Sequence, residues 1–453
     1  MLKDLLKPEI KNFIQEKKWG ALKEVLPNWP PAEVADLIKV LDRPDRVLLF
    51  RSLPRQFAAK VFAELEPMEQ DVLLKDLTAQ ETARLLADLS PDDRTALFEE
   101  LPSQVTRRLF ELLTPEDLKE VKQLLGYPEE SVGRLMTPDY VAVRPNWTVG
   151  KALEHIRKTG KNSETINRIY VTDEEGKLLD DVKLQEFILA DPSTPVERLM
   201  NYSFVSISAF EDQEQAVKMI KKYNLSALPV VDSEGILLGI VTFDDLMDVA
   251  DEEVTEDFQK IAAISGEKEH GDFFGNILKA PLSLLYRKRV GWLVFLVFMN
   301  IFSGGAAAIF EKTIARYIVL IFFLPLLIDS GGNAGSQAAT LMVRALALGD
   351  VKLSDWVRLL GKEFAVAGLL GATMGAAVLI LGIFRGGPEI AIIVALSMLL
   401  IVIVGSIIGM SLPFIFTRLG RDPATASGPL ITSICDITGI LIYFSIATWL
   451  LSS

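Results

Sequence analysis

Five apolar segments follow one another in the last part of the chain, each with few charged residues. A helix needs about 20 apolar residues to cross the hydrocarbon layer of a bilayer, and every segment reaches that length. A buried helix of a soluble protein would explain one such segment, but not five in succession. The pattern therefore predicts a five-helix transmembrane domain over residues 290–453, with spans at 290–309, 315–346, 364–384, 390–416 and 425–451.

The apolar positions before residue 130 follow a different rhythm, because leucine recurs every twelve residues. Turn and capping residues follow each leucine, and SPDD and TPED are typical helix starts, with Ser or Thr at the N-cap and Pro at the first helical position. The spacing predicts short amphipathic helices stacked into an all-α superhelical domain over residues 1–130, which by itself requires no ligand. The repeated leucines are Leu41, Leu53, Leu65, Leu77, Leu89, Leu101 and Leu113.

A second repeat fills residues 131–250, where RLMTPDYVAVRPNWTVGKALEHIRK is followed 64 residues later by RLMNYSFVSISAFEDQEQAVKMIKK. Each copy continues into β-branched runs separated by an EG turn, which predicts the order strand, helix, strand, strand, helix. Two such copies, 131–194 and 195–250, resemble a tandem CBS domain pair of α/β fold. The second copy matches closely in ALPVVDSEGILLGIVTFDDL, whereas the first has KLLDDVKLQEFI in place of the GxV strand. The resemblance makes an adenine nucleotide a candidate ligand.

Charge separates the two parts of the chain. The whole sequence carries a net charge of −13, and the acidic excess lies before the apolar segments. An acidic soluble region argues against nucleic acid as a partner and favours cations or basic partners. The single cysteine, Cys435, excludes an internal disulfide and is expected to serve packing. The two histidines, His155 and His270, are expected at the surface rather than on a metal.

Basic residues flank the apolar segments unevenly, which predicts their orientation. The N-terminal MLKDLLKPEIKNF has no apolar core of signal-peptide type, so the first part is expected to stay in the cytoplasm. Cytoplasmic loops carry an excess of Lys and Arg, which places the N-terminus inside and the C-terminus outside a multi-pass protein of the cell (inner) membrane. The inner flanks then hold Arg287, Lys288, Arg289, Arg344, Lys352, Arg358, Lys362, Arg418 and Arg421, and the outer flanks hold Lys312, Arg316 and Arg385.

Two carboxylates, Asp329 and Asp436, lie inside predicted spans. A charged group in lipid costs on the order of 3 kcal/mol on insertion scales, so each is expected to face water, an ion or a partner. Thr432 precedes Asp436 by one helical turn and shares its helix face. Carboxylate, hydroxyl and backbone oxygens are ligands for Mg²⁺ or Ca²⁺. The pattern predicts a path for a hard divalent cation.

The stretch LLIDSGGNAGSQAAT adds polar groups to that path. Asp329, Asn333 and Gln337 are spaced by four and are expected on one helix face. Gly331-Gly332 is predicted to interrupt the helix, either to line a watery cavity with freed carbonyls or as a packing kink. Ser330, Ser336 and Thr340 are expected to hydrogen-bond their own backbone. The pairs Gly371/Gly375 and Gly405/Gly409 are typical of close helix contacts in membranes.

Acidic residues crowd the segment 244–257, immediately before the predicted linker 251–289. Like charges at helical spacing repel one another, so the run is either a solvated face or a binding region for divalent cations. The linker carries Gly266, Gly271 and Gly275, which predicts two helices joined by a hinge.

The polar motifs together resemble the MgtE family of magnesium channels. The resemblance covers essentially the whole chain and is most specific in LLIDSGGNAGSQAATLMVRALALGDV and LPFIFTRLGRDPATASGPLITSICDITGILIYF. It implies a homodimer whose pore follows the dimer axis, with Asp436 holding hydrated Mg²⁺ and Asn333 beside it. Asp329 stands where some members have an uncharged residue, and it either adds charge near the pore or pairs elsewhere.

The same resemblance implies a cytoplasmic Mg²⁺ sensor. In the family, Mg²⁺ bridges acidic residues of the superhelix, the CBS pair and the linker helix, and the pore then closes. Two further sensor positions that are acidic in some members are Asn224 and Ala96 in this chain. The matching acidic residues are Asp92, Asp212, Glu214, Asp245, Asp248, Glu253, Glu256 and Asp257.

The sequence therefore predicts a Mg²⁺ channel for uptake across a lipid bilayer, gated by cytoplasmic Mg²⁺. Two alternatives remain open: a transporter of another divalent cation, coupled or not to sodium or protons, and a membrane-anchored nucleotide-sensing CBS module. The sequence shows no nucleophile–base set, no phosphate-binding loop and no zinc spacing, so no enzyme activity is expected.

Overall fold

The computed structural model describes residues 2–101, 103–264, 282–347 and 349–451. These residues divide into two units, and the boundary falls between Glu252 and Glu253. The predicted hinge glycines of the linker and His270 lie outside the described residues.

The superhelical part of the first unit repeats every twelve residues, as the leucine spacing predicts. From α3 onward the helices start at positions 31, 43, 55, 67, 79, 91, 103 and 115, and most of the repeated leucines are buried where each helix ends. The helices are α1 (Leu2–Gln15), α2 (Trp19–Val25), α3 (Pro31–Val40), α4 (Arg43–Ser52), α5 (Arg55–Ala63), α6 (Pro67–Asp76), α7 (Ala79–Asp88), α8 (Pro91–Glu100), α9 (Ser103–Phe110) and α10 (Pro115–Leu124).

Local capping explains where two of these helices begin. The Ser90 hydroxyl accepts a hydrogen bond from the Asp93 amide at the start of α8, and the Thr114 hydroxyl accepts one from the Asp117 amide at the start of α10. Each side chain satisfies an amide that the first turn leaves without a helical partner. The SPDD and TPED segments are therefore helix starts, as predicted.

The tandem α/β repeat is also confirmed. After the short α11 (Val132–Leu135), the first copy contains β1 (Ala142–Val143), α12 (Val149–Thr159), β2 (Arg168–Thr172), β3 (Leu178–Lys183) and α13 (Leu184–Leu189). The second copy contains β4 (Ile207–Ser208), α14 (Gln213–Tyr223), β5 (Ala227–Val231), β6 (Leu237–Thr242) and α15 (Phe243–Ile261).

Both copies have the same sheet topology. In each, the first strand pairs parallel with the second and the second pairs antiparallel with the third. The register slips at the same place, between Val171 and Thr172 in one copy and between Val230 and Val231 in the other. The first copy keeps its third strand without the GxV segment. Within that strand, buried Asp180 accepts hydrogen bonds from the amides of Asn201 (2.6 Å) and Tyr202 (2.9 Å).

The second unit contains the apolar helices. They are α16 (Leu282–Ala308), the short α17 (Glu311–Arg316), α18 (Val319–Ala347), α19 (Trp356–Arg418) and α20 (Gly428–Leu451). Among the described residues, four helices are long and apolar enough to cross a membrane. The predicted segments 364–384 and 390–416 both lie in α19, which kinks at Gly387 (φ 80°, ψ 178°), just before Pro388.

The predicted interruption at Gly331-Gly332 is wrong, because α18 runs unbroken from Val319 to Ala347. The glycines instead allow close helix packing. A Cβ added at Gly331 would lie 2.5 Å from Ile401 Cγ2, and one added at Gly405 would lie 2.5 Å from the Gly331 carbonyl oxygen. A Cβ at Gly409 would overlap the Gly335 carbonyl. The α18 and α19 backbones therefore touch along a glycine seam, formed by Gly331, Gly335, Gly405 and Gly409.

The other predicted pair packs the two arms of α19 against each other. A Cβ at Gly371 would lie 2.9 Å from the Leu399 carbonyl oxygen, and one at Gly375 would lie 3.0 Å from that of Ala395. The hydroxyls also behave as predicted where the structure records them, since Ser330 donates to the Leu326 carbonyl (2.7 Å) and Thr340 to the Ser336 carbonyl (2.9 Å).

The seam predicts a sharp difference between two glycine substitutions in α19. We expect Gly409→Ala to destabilise the protein by about 1–3 kcal/mol, the usual cost of forcing a methyl group into a packed contact. Gly368→Ala is the matched control, because nothing lies within 4 Å of a Cβ at Gly368. Thermal unfolding of the two purified variants in detergent measures the difference, and equal melting temperatures would contradict the seam.

Candidate ion path and cation-binding cluster

One face of α18 carries polar side chains that are exposed on the protomer. Asp329, Asn333 and Gln337 lie on this face, and Asn333 Nδ2 donates to Asp329 Oδ2 at 3.0 Å. The opposite face of this stretch is buried and includes Gly331 and Gly335 of the glycine seam. Between Asp329 and Gln337, α18 therefore exposes polar side chains, whereas Phe322, Leu326 and Leu341 are exposed nearer its ends. Polar groups in the hydrocarbon region require water or protein beside them, so this face is unsuited to lipid.

Asp436 reaches the same region from α20. Its side chain is half-buried, and Asp329 lies within electrostatic range of it. Thr432 helps to hold the two helices together, because a Cβ at Gly332 would lie 3.1 Å from the Thr432 methyl group. The Thr432 hydroxyl donates to the Pro429 carbonyl at 3.0 Å, which leaves its oxygen as an acceptor. The structure thus brings together all four predicted ion-path residues, Asp329, Asn333, Thr432 and Asp436.

A second group of carboxylates lies in the first unit, between the superhelix and the α/β repeats. Asp92 and Asp93 start α8, Asp244 and Asp245 start α15, and Glu164 lies in the loop before β2. Their charges act on one another across these elements. We call these five residues the acidic cluster.

Two carboxyl groups of the acidic cluster have raised pKa values, which shows that their ionised forms are disfavoured. Burial raises the pKa of the Asp245 carboxyl to about 6, against the effect of a hydrogen bond from the Thr242 hydroxyl, and the charges of Asp244 and Asp93 raise it further. Burial also raises the pKa of Asp92 well above its usual range, with Asp245 as the strongest charged neighbour. Both ionised forms are therefore disfavoured where they stand.

Asp92 gives the most direct sign that a cation fits this place. Its Oδ1 atom is enclosed and has no hydrogen-bond partner within the described part of the chain. An enclosed carboxylate oxygen without a donor is costly and is satisfied by a cation or an added proton. Oxygen ligands of this type suit Mg²⁺, which also keeps part of its water shell. No three acidic, His or Cys side chains of the described residues already stand at direct metal-ligand geometry.

Two more carboxylates, Glu64 and Asp248, lie at the edge of the acidic cluster. Burial raises the pKa of Glu64, and the charges of Asp248 and Asp93 raise it further. Burial likewise raises the pKa of Asp248, followed by the charge of Asp244. The superhelix therefore presents acids from two of its helices to the start of α15.

The remaining predicted sensor residues have local roles or lie farther along α15. The Asp212 carboxylate caps α14 by accepting a hydrogen bond from the Glu214 amide (2.8 Å), and Glu214 pairs with Lys218 (2.9 Å). Glu253, Glu256 and Asp257 lie in the part of α15 that belongs to the second unit. Of the two positions that depart from the family, Asn224 ends α14 in a left-handed conformation (φ 51°), and Ala96 lies exposed on α8.

Sequence reasoning missed Glu64, Asp93 and Glu164, and it included Asp244 only as a member of the acidic run 244–257. Asp93 and Asp244 each adjoin a predicted residue, so their signal was present in SPDD and TFDD. Glu64 and Glu164 carry no local signal, because only packing brings their loops and helices to α15.

Two arginines form ion pairs that hold helix α8 of the superhelix beside the acidic cluster. Arg94, only 3% exposed, donates to Asp117 (2.9 Å), Glu120 (2.6 Å) and the Leu86 carbonyl (3.2 Å). Arg134 pairs with Glu99 and so connects α11 to α8. These contacts fix α8 in place beside the acidic cluster, where Lys60 acts on Glu164 but the pKa of Glu164 is still raised by burial and by the neighbouring acids.

A cleft of about 710 Å³ opens between the two α/β copies. Arg168 and Lys183 line it from the first copy, and Tyr223, Asn224 and Ser226 line it from the second. Arg168 also pairs with Asp181. The volume lies within the usual range for small-molecule sites, and the two cations suit an anionic ligand.

Family comparisons match each part of the chain. A family model described as a divalent cation transporter matches residues 324–446, the MgtE intracellular N domain matches 29–130, and the CBS domain matches 132–192 and 196–252. The magnesium transporter MgtE of Thermus thermophilus is 37% identical over 455 residues, which cover 100% of both chains. That of Bacillus subtilis is 36% identical over 331 residues, or 73% of this chain and 72% of the relative.

Two solved structures resemble about half of this chain. The cytosolic domain of the Mg²⁺ channel MgtE in complex with ATP has a TM-score of 0.51 and 38% identity, and it covers 54% of this chain and 100% of that one. The soluble part of a magnesium transporter has a TM-score of 0.53 and 28% identity, with 55% and 99% covered.

Removing one charge from the acidic cluster should strengthen its docked arrangement when no divalent ion is present. We expect Asp245→Asn to stabilise the full-length protein in chelator at pH 7.5 by about 1 kcal/mol, because it removes repulsion with Asp93 and Asp244. Mg²⁺ should then stabilise the variant less than it stabilises the wild type.

The matched control is Asp71→Asn, which removes a superhelix carboxylate that pairs locally with Lys75. Thermal unfolding in detergent, with chelator and with Mg²⁺, gives the comparison. An unchanged Mg²⁺ response in Asp245→Asn would exclude this residue from cation binding.

Proposed function

The chain belongs to the MgtE family of divalent cation transporters, which is not an enzyme family, and from this premise we propose how it conducts and senses Mg²⁺. It transports Mg²⁺ through its apolar helices, as its relatives' names and its family indicate. The observation that carries the conduction proposal is the exposed polar face of α18 beside Asp436.

The polar face of α18 supports a homodimer with a pore between the two copies. A face that carries Asp329, Asn333 and Gln337 avoids lipid if a second copy covers it and water fills the space between. Two copies of Asp436 would then supply about −2 charge, which matches one divalent ion. Mg²⁺ gives up its water reluctantly, so a few carboxylates and amides hold it through that shell, and weak holding lets it leave again.

The acidic cluster supports gating by cytoplasmic Mg²⁺. Without the ion, the carboxylates of α8 and α15 repel and favour separation of the superhelix from the CBS pair. With the ion, these carboxylates bind Mg²⁺ between them, and the docked arrangement gains its binding free energy. The ion thereby shifts the population toward the arrangement that binds it, which is the closed one. Helix α15 carries the change, because it runs from Asp244 and Asp245 into the second unit.

Orientation follows from the flanking charges, which favour a cytoplasmic first unit and an external C-terminus. The sensor then measures internal Mg²⁺ and stops uptake when enough has entered. This arrangement is negative feedback on the transported ion. The selectivity of the path among divalent cations rests on the family.

An adenine nucleotide is the second proposed ligand. The cleft between the CBS copies offers Arg168 and Lys183 to phosphates and Tyr223 to a base, and a related cytosolic domain has been solved with ATP. A nucleotide there would contact both copies at once and so stiffen the part of the sensor that holds α15.

Flux measurements with Asp436 variants test the conduction proposal. We expect Asp436→Ala to lower Mg²⁺ uptake into proteoliposomes at least about tenfold, because the ion loses its charged partner, and Asp436→Asn to lose selectivity over monovalent cations. Asp350→Asn, in the exposed segment between α18 and α19, is the control and should conduct normally. Normal Mg²⁺ flux through Asp436→Ala would make this carboxylate structural.

Binding measurements test the nucleotide proposal. We expect Lys183→Ala to weaken ATP binding to the full-length protein about tenfold, since a charge-assisted contact to phosphate contributes on the order of 1.5–3 kcal/mol. Lys158→Ala, an exposed lysine on α12, is the control. Isothermal titration with ATP gives both affinities, and equal affinities would move the nucleotide away from this cleft.

A further inference from the structure

Near the end of α15, Lys260 is held by two carboxylates. Its Nζ lies 2.5 Å from Glu256 Oε1, one helical turn earlier, and 2.5 Å from Asp422 Oδ2. Asp422 belongs to the segment between α19 and α20, so a single cation joins α15 to the apolar helices. The three side chains are 27–34% exposed, which places the bridge in a half-buried position.

Asp422 has a second role that fixes where its carboxylate points. Its Oδ1 accepts a hydrogen bond from the Ala424 amide at 2.8 Å and so starts the 3₁₀ turn Pro423–Thr425. Helix α20 begins three residues after this turn, and it carries Thr432 and Asp436. One carboxylate therefore sets the start of an ion-path helix through one oxygen and holds Lys260 through the other.

The end of α15 lies where α18 and α20 meet. A Cβ added at Gly428, the first residue of α20, would lie 3.8 Å from the Ile261 carbonyl oxygen and 3.9 Å from Ser336 Oγ of α18. Ile261 directly follows Lys260. The bridge thus anchors α15 at the end of the two helices whose polar residues form the ion path.

The two ion pairs favour the docked position of α15. Lys260 lies between the two carboxylates, and its departure would leave two half-buried carboxylates beside each other. Such contacts are expensive to break from one side only, because the partner remains without compensation.

We propose that Lys260 is the latch that couples α15 to the ion path, by bridging Glu256 and Asp422 when α15 is docked at the start of α20. The proposal rests on the gating by cytoplasmic Mg²⁺ proposed above and adds the contact through which closure reaches α20. A bridge made only in the docked arrangement stabilises the closed state, so less internal Mg²⁺ is needed to close the pore. Lys260 is a positioning residue and does not contact the transported ion.

A double-mutant cycle on the full-length protein tests the latch. Lys260→Met removes the cation, and Asp422→Asn removes the charge while its amide oxygen can still accept from the Ala424 amide. We expect each variant to raise the internal Mg²⁺ concentration for half-inhibition of flux about threefold to tenfold. The double variant should shift no further than the single ones, because both changes break one interaction.

Two further variants test whether the effect is specific to the Lys260 bridge. Lys260→Arg retains the charge and should restore a value near that of the wild type. Lys75→Met removes a lysine from another pair of the same spacing, with Asp71, and should leave half-inhibition unchanged. Melting temperatures of the four proteins of the cycle, measured in detergent, report the bridge independently of transport.

The outcomes separate the latch from the gating on which it rests. If the wild type is inhibited by internal Mg²⁺ but Lys260→Met is inhibited equally, or if the two shifts simply add, the latch is refuted while the gating stands. If the wild type shows no inhibition by internal Mg²⁺, the gating itself fails. If the effects of the two substitutions on the melting temperature are not additive but the half-inhibition values do not change, the bridge exists without a role in gating, and the proposal is overturned.

Discussion

The structure depends on carboxylates whose ionised forms are disfavoured by burial and by one another's charge. In the acidic cluster, burial and mutual repulsion raise the pKa values of Asp92 and Asp245, and one Asp92 oxygen is enclosed without a donor. In the apolar helices, Asp329 lies close enough to Asp436 for their charges to repel, at a place unsuited to lipid. Each group is stable only beside a cation or water. The same chemistry supports both proposed roles, a path for Mg²⁺ in one part and a sensor of it in the other.

The fold supplies positive charge selectively elsewhere. Arg94 neutralises Asp117 and Glu120 beside the acidic cluster, and Lys260 neutralises Glu256 and Asp422 near the ion path. The Arg94 pairs hold α8 in place without any bound ion, and the Lys260 bridge is proposed to form when α15 is docked. The acids beside Arg94 are the proposed sensor of Mg²⁺.

Close packing at small residues positions the ion-path helices. The glycine seam brings the α18 backbone against α19, and Gly332 accommodates the Thr432 methyl group of α20. With these small residues turned inward, the larger polar residues of α18 are left on the outer face. In the proposed homodimer, a second copy of the chain encloses them.

The sequence by itself determined the periodic and local features. The twelve-residue leucine spacing, the SPDD and TPED caps, the two α/β copies and the apolar segments all follow from residues close together in the chain. Asp436 was a candidate ion-path residue from the sequence alone, because a carboxylate in an apolar span is costly unless it faces water, an ion or a partner. Tertiary packing decided which residues that are distant in the chain come into contact. Glu64 and Glu164 join the acidic cluster only when distant elements dock, and Lys260 meets Asp422 across 162 residues of chain. The Gly331-Gly332 pair shows the same limit, because glycine permits both a broken helix and a close contact. The contact depends on the neighbouring helices, with α19 beside Gly331 and α20 beside Gly332.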